Sequence, residues 1–269
     1  MALRRASTST MHFAHSDLLL PVAMAAAAGL VGSVAVMRRM ALASDALSHV
    51  ALPGVAMAIL LHLNPVLGGL AALLLGSLLV WALEHKTRLP TEAVIGVVFS
   101  ASLAIGSMLT SGEELLEALF GAAHRLGSLE TILGLSAATI VIAFMLRARS
   151  RLMIALVSPD LARTAGINVP RINLLFLVIF ALTVALGLRF LGVLLMGSLI
   201  IIPAVTATYL TRSLRAMQVT SVVLAVASTL AGSLAAPRLH VEPGPLIIVI
   251  AAAVFVAGLA ARRGNRVAR

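Results

Sequence analysis

Residues 18–54 read LLLPVAMAAAAGLVGSVAVM RRM ALASDALSHVALPG, and the two halves of this stretch carry different messages. The first twenty residues, 18–37, carry no ionisable side chain and stop at Arg38-Arg39. A helix rises about 1.5 Å per residue, so such a run crosses the roughly 30 Å hydrocarbon core of a bilayer. It is too long for the apolar core of a secretory signal peptide, despite Arg4 and Arg5 ahead of it. The second half is also apolar, but it contains Asp45 and His49. The first run points to a membrane protein, and the second asks what the membrane protein carries.

The composition agrees. Of 269 residues, 61% are hydrophobic and 11% are charged, against about a quarter charged in soluble domains. So few charges cannot cover a water-soluble globule. A soluble enzyme and a nucleic-acid-binding domain are both excluded, in spite of a net charge of +10. The twenty basic residues lie in short runs between apolar stretches, not clustered as a nucleic-acid surface requires. There is no cysteine, which removes disulfides, thiolate metal sites and cysteine nucleophiles.

Applying the same length rule along the chain predicts about nine spans, with eight as the alternative count, at 18–37, 41–62, 65–83, 91–111, 128–146, 172–188, 190–210, 217–236 and 245–261. Alternating strands are absent from the pattern, so the expected fold is an all-α polytopic bundle rather than a barrel. With nine spans, fifteen basic residues fall on the side of Arg38 and Arg39 and five on the other. The positive-inside rule then sets the N-terminus outside and the C-terminus in the cytoplasm. Residues 1–16 are expected to be a flexible leader, 17–263 a single transmembrane domain and 264–269 a cytoplasmic tail.

Two polar pieces interrupt the spans. Outside, 112–127 carries Glu113, Glu114 and Glu117 and reads as an amphipathic segment or lid. Inside, 147–170 contains a local helix signal: Ser158 as N-cap, Pro159 at the first helical position, then Asp160, Ala162 and a stop at Gly166. A short cytoplasmic helix between two spans suits docking to another protein.

Asp45 and His49 are four residues apart and share a helix face. Counted helically from Arg39, they lie roughly 9 and 15 Å along the axis, inside the bilayer. Ionisable residues there are costly and mark polar pathways, and a carboxylate with an imidazole suits zinc, iron or manganese. Pro53 cannot donate to the carbonyl of His49, which leaves that oxygen beside the pair, and Gly54 admits a neighbouring helix. The competing reading makes Ser44 or Asp45 the cap of a helix that starts late. Pro203 interrupts the seventh span as a kink or gating point. Glu84, His85 and Glu92 read as solvated, His62 as interfacial, and His124, His240 and Glu242 as outer-loop residues. No P-loop, H-E-x-x-H or G-x-S-x-G occurs, so the expectation is a transport subunit and not an enzyme, with any ATP bound by a separate chain.

These pieces, in order, resemble the membrane permease of bacterial ABC importers for zinc, manganese and iron, the ABC-3 class. The likeness covers about 18–262. It rests on Arg38-Arg39-Met40, Ser44-Asp45-Ala46-Leu47-Ser48-His49, Leu52-Pro53-Gly54-Val55, Leu119-Phe120-Gly121, Ser158-Pro159-Asp160-Leu161-Ala162 with Gly166, and Gly192-Val193-Leu194-Leu195 running to Ile201-Ile202-Pro203-Ala204. His124-Arg125 departs from the pattern. The resemblance implies a cation site at Asp45 and His49, doubled in a homodimer, with no resident cofactor. It also implies a coupling helix at 158–166 for the ATPase, a metal-binding protein at the outer face, and residence in the bacterial inner membrane. A stand-alone secondary transporter or channel for divalent metals is the alternative, separated from the first reading by whether an ATPase subunit accompanies the chain.

Overall fold

The computed structural model describes residues 15–40, 43–87, 89–109, 127–190 and 193–267. Ten helices occupy them: α1 His15–Met37, α2 Ala43–Leu60, α3 Pro65–Thr87, α4 Thr91–Leu109, α5 Ser128–Val157, α6 Pro159–Thr164, α7 Val169–Phe190, α8 Val193–Leu210, α9 Leu214–Leu239 and α10 Pro243–Val267. No strand occurs among the described residues. Seven helices are long and apolar enough to cross a bilayer. α2 and α8 are apolar but shorter, so the expected nine spans are reached only by counting both. An 18-residue helix is about 27 Å long, slightly less than the hydrocarbon core. Both short helices carry an internal proline, Pro53 and Pro203. The expected outer segment 112–126, with its glutamates and His124, lies outside the described residues.

α1 is the hub. Of its most apolar window 67% is buried, against 11% for α10, which leaves one face of α10 for lipid or a partner. It packs on α5, α8 and α9, while α2 lies against α3 and α4, and α3 against α7. Small residues make these approaches close, as membrane helix contacts require. A Cβ added at Gly32 would fall on the Ile200 carbonyl of α8. At Gly29 an added Cβ would come within 2.9 Å of the backbone of α9, and the Ser221 hydroxyl donates to the Gly29 carbonyl at 2.8 Å. α2 and α3 cross at Gly54 and Gly68, where a Cβ on either residue would land on the other's carbonyl oxygen.

α5 extends beyond its span. Hydropathy predicts an end near 146, but the helix runs to Val157, so Arg147, Arg149 and Arg151 stand on a helical extension and not in a loop. Nothing in 147–157 breaks a helix, whereas Pro159 disfavours helical backbone at Ser158, which is extended (φ −147°). Four turns share another device. Arg39, His62, Gly166 and His240 take φ of 61, 54, 74 and 53°. In each, the next N–H bonds back five residues: Met40 to Ala35 at 2.9 Å, Leu63 to Ala58 at 2.8 Å, Ile167 to Ala162 at 2.9 Å and Val241 to Ala236 at 3.2 Å. This left-handed closure satisfies carbonyls that a helix end leaves open. His62 and His240, read from sequence as interfacial and loop residues, are therefore helix caps.

Candidate functional site

The turn after α1 delivers the chain into α2, which starts at Ala43. Asp45 is thus in the first helical turn, not at an N-cap, and its side chain lies outside the described residues. Residues 38 and 39 form a turn, so a helical count from Arg39 does not measure the depth of Asp45 and His49. The first turn of a helix favours a carboxylate through its free N–H groups.

One turn further, His49 is half-buried between α2 and α4, its ring edge-on to Phe99 with centroids 5.4 Å apart. Its Nδ1 is buried and, among the described residues, has no hydrogen-bond partner. Buried polar atoms are nearly always satisfied, and one that is not asks for an explanation. Two turns beyond Phe99, Gly106 makes room for Pro53: a Cβ at Gly106 would meet Leu52 Cβ at 3.2 Å and Pro53 Cδ at 3.6 Å. Phe99 and Gly106 thus shape one face of α4 to the His49–Pro53 segment. Pro203 sits within α8, the other short helix, which also contacts α2. Among the described residues no three His, Asp or Glu side chains gather as a metal site.

The 158–166 segment folds by its own local signals. The Ser158 hydroxyl accepts from the Leu161 N–H at 3.3 Å, and Pro159 occupies the first helical turn. Gly166 closes the helix in the left-handed conformation that glycine tolerates best. Ala162 is fully buried beneath α6. On the outer side are Leu161, 61% exposed, and an exposed Asp160–Arg163 ion pair at 3.2 Å.

Sequence reasoning missed a third cluster where α1 and α3 end and α7 begins. Arg38, read only as an orienting charge, donates through Nη2 to Asn173 Oδ1 on α7 at 2.7 Å. Its guanidinium lies 4.6 Å from the Phe176 ring centroid. Burial pushes the guanidinium pKa down from its ordinary range to about 10, and the charge of Glu84 on α3 partly restores it. Arg38 Nε is buried and has no partner among the described residues. Glu84 in turn accepts from the Thr91 hydroxyl at 2.9 Å, His85 stacks on Trp81, and Trp81 Nε1 donates to the Pro170 carbonyl at 3.1 Å. The available signal was an asparagine inside an otherwise apolar span.

Residues 10–262 match the family described as the ABC 3 transport family. The chain belongs to that family. Among family relatives, the high-affinity zinc uptake system membrane protein ZnuB of Haemophilus influenzae is 30% identical over 236 residues, covering 85% of this chain and 90% of the relative. The manganese import system permease protein ScaB of Streptococcus gordonii is 26% identical over 249 residues, covering 91% and 90%. Among solved structures, PsaBC from Streptococcus pneumoniae in complex with Fab superimposes with a TM-score of 0.77 at 25% identity, covering 93% of this chain and 91% of that one. Family membership and the apolar helices together make the chain a multi-pass membrane protein of a transport family.

Proposed function

We propose that the chain is the permease subunit of a binding-protein-dependent ABC importer that moves zinc or manganese, with iron as a third cargo, into the bacterial cytoplasm across the inner membrane. The observation that carries this reading is the match of residues 10–262 to one transport family, joined by relatives named for zinc and manganese uptake. The metal is cargo. This chain has no enzymatic step of its own, and ATP is bound by a separate ATPase.

Asp45 and His49 line the path in this reading. The orphaned Nδ1 of His49 supports it, since a ligand left free between passages is a polar atom without a permanent partner. A single chain supplies one carboxylate and one imidazole, a transient site that releases its ion; two copies in a homodimer supply four donors, within the range first-row divalent metals accept. Pro53 and Pro203 mark the two short helices as the gating elements. Ser158, Pro159, Asp160, Ala162 and Gly166 build the coupling helix, and Leu161 presents an apolar anchor to the ATPase. The outer ends receive metal from a binding protein.

The test is reconstitution of the chain with its ATPase and binding protein in proteoliposomes, scored for uptake of zinc, manganese and iron separately. ATP-dependent uptake that is lost in Asp45→Ala and retained on substitution of the exposed His240 is expected. Uptake that needs no ATPase would replace this reading with a secondary transporter or channel.

A further inference from the structure

The cytoplasmic cluster around Arg38 is separate from the His49 site and from the exposed face of α6, yet it holds one of two orphaned buried side-chain atoms among the described residues. Its position explains what it joins. On one side, Arg38 follows α1 directly, Arg39 and Met40 close the turn, and α2 with Asp45 and His49 begins at Ala43. On the other side, the route from α6 to α7 contains no slack. Gly166 and Ile167 bond back onto Arg163 and Ala162 at 3.1 and 2.9 Å, and Asn168 Oδ1 accepts from the Arg171 N–H at 3.1 Å. α7 thus starts within a few residues of the end of α6, and Asn173 lies in its second turn. Trp81 fastens α3 to that same base through the Pro170 carbonyl.

We propose that Arg38 and Asn173 are positioning residues that tie the base of α7, and through it α6, to the turn that carries the metal-bearing helix α2. The inference rests on the importer reading. A guanidinium that only anchored the chain at the membrane surface would reach to water. Arg38 instead turns inward, spending one N–H on a neutral amide and its face on Phe176. A cation desolvated in this way holds its one good acceptor firmly, because losing it leaves a buried charge without a partner. Displacement of α6 is therefore passed through α7 to the turn ahead of α2 by a bond, not by lipid.

The test uses the full complex, with permease, ATPase and binding protein, in proteoliposomes, and reads metal carried per ATP hydrolysed. In Asn173→Ala, assembly and basal ATP hydrolysis are expected to stay near wild type while metal per ATP falls about tenfold, the size of a typical inter-site coupling. Asn173→Asp, which keeps an acceptor for Arg38, restores the ratio. Arg38→Lys, with a shorter fork-less donor, lowers it and serves as the second variant if Asn173→Ala fails to assemble. An unchanged ratio in Asn173→Ala or, where that variant fails to assemble, in Arg38→Lys overturns the proposal, and so does an Asp variant as defective as the Ala variant. The wild-type complex in the same vesicles separates the two readings. No ATP-driven uptake by wild type refutes the importer reading, whereas normal wild-type uptake with an unaltered variant ratio refutes the tie alone.

Discussion

Arg38 and His49 are eleven residues apart in one stretch of sequence, and each leaves one buried nitrogen without a partner among the described residues. Their surroundings differ in kind. Arg38 has an acceptor on α7, an aromatic face below it and a carboxylate on α3. His49 has an aromatic edge. A cation held from three directions is fixed in place, and its unused Nε is a small residual cost. An imidazole with an aromatic edge contact and, among the described residues, no hydrogen bond to Nδ1 keeps that nitrogen in reserve. On the importer reading proposed above, one site is built to stay and the other to bind and release.

The largest effect should come from filling the reserve. His49→Phe removes an unsatisfied polar atom in favour of an apolar ring, so thermal stability in detergent should hold or rise, by about 1 kcal/mol. Metal uptake should fall to background. A variant that still transports, or that unfolds, would make His49 a structural residue like Arg38. Next, Glu84→Gln removes the charge that offsets the desolvation of Arg38 and should cost about 1 kcal/mol, modest because Glu84 is only half-buried. The same substitution should be additive with His49→Phe in a double-mutant cycle, since the two surroundings share no residue. The smallest effect belongs to Arg39→Gly, which relieves a left-handed residue at φ 61° and should stabilise by roughly 0.5 kcal/mol. A loss of stability there would mean that the Arg39 side chain, and not only its backbone, anchors the turn.

The two sites also differ in how far the sequence discloses them. His49 and Asp45 are legible because both lie on one helix, four residues apart, in an apolar background where any ionisable group stands out. α6 is legible for a similar reason: Ser158, Pro159 and Gly166 act within a single turn of where they stand. Arg38 is not, because its acceptor lies 135 residues away and one arginine among many at the cytoplasmic edge reads as an orienting charge. The spans themselves follow from apolar length, with boundaries that hydropathy misjudges where a helix continues past the lipid. The end of α5 at Val157 is set by Pro159, not by the arginines that end its apolar run.

The reciprocal fit of Gly54 and Gly68 has a mechanical consequence. Each backbone occupies the notch left by the other's missing side chain, so the crossing tolerates no axial slip: a one-residue shift would drive Pro53 or Val55 against the Gly68 carbonyl. α2 and α3 are interlocked and must travel as one carriage. Any excursion of His49 then displaces Trp81 and Glu84 at the far end of α3, and a stroke that moved α2 alone is closed to this molecule.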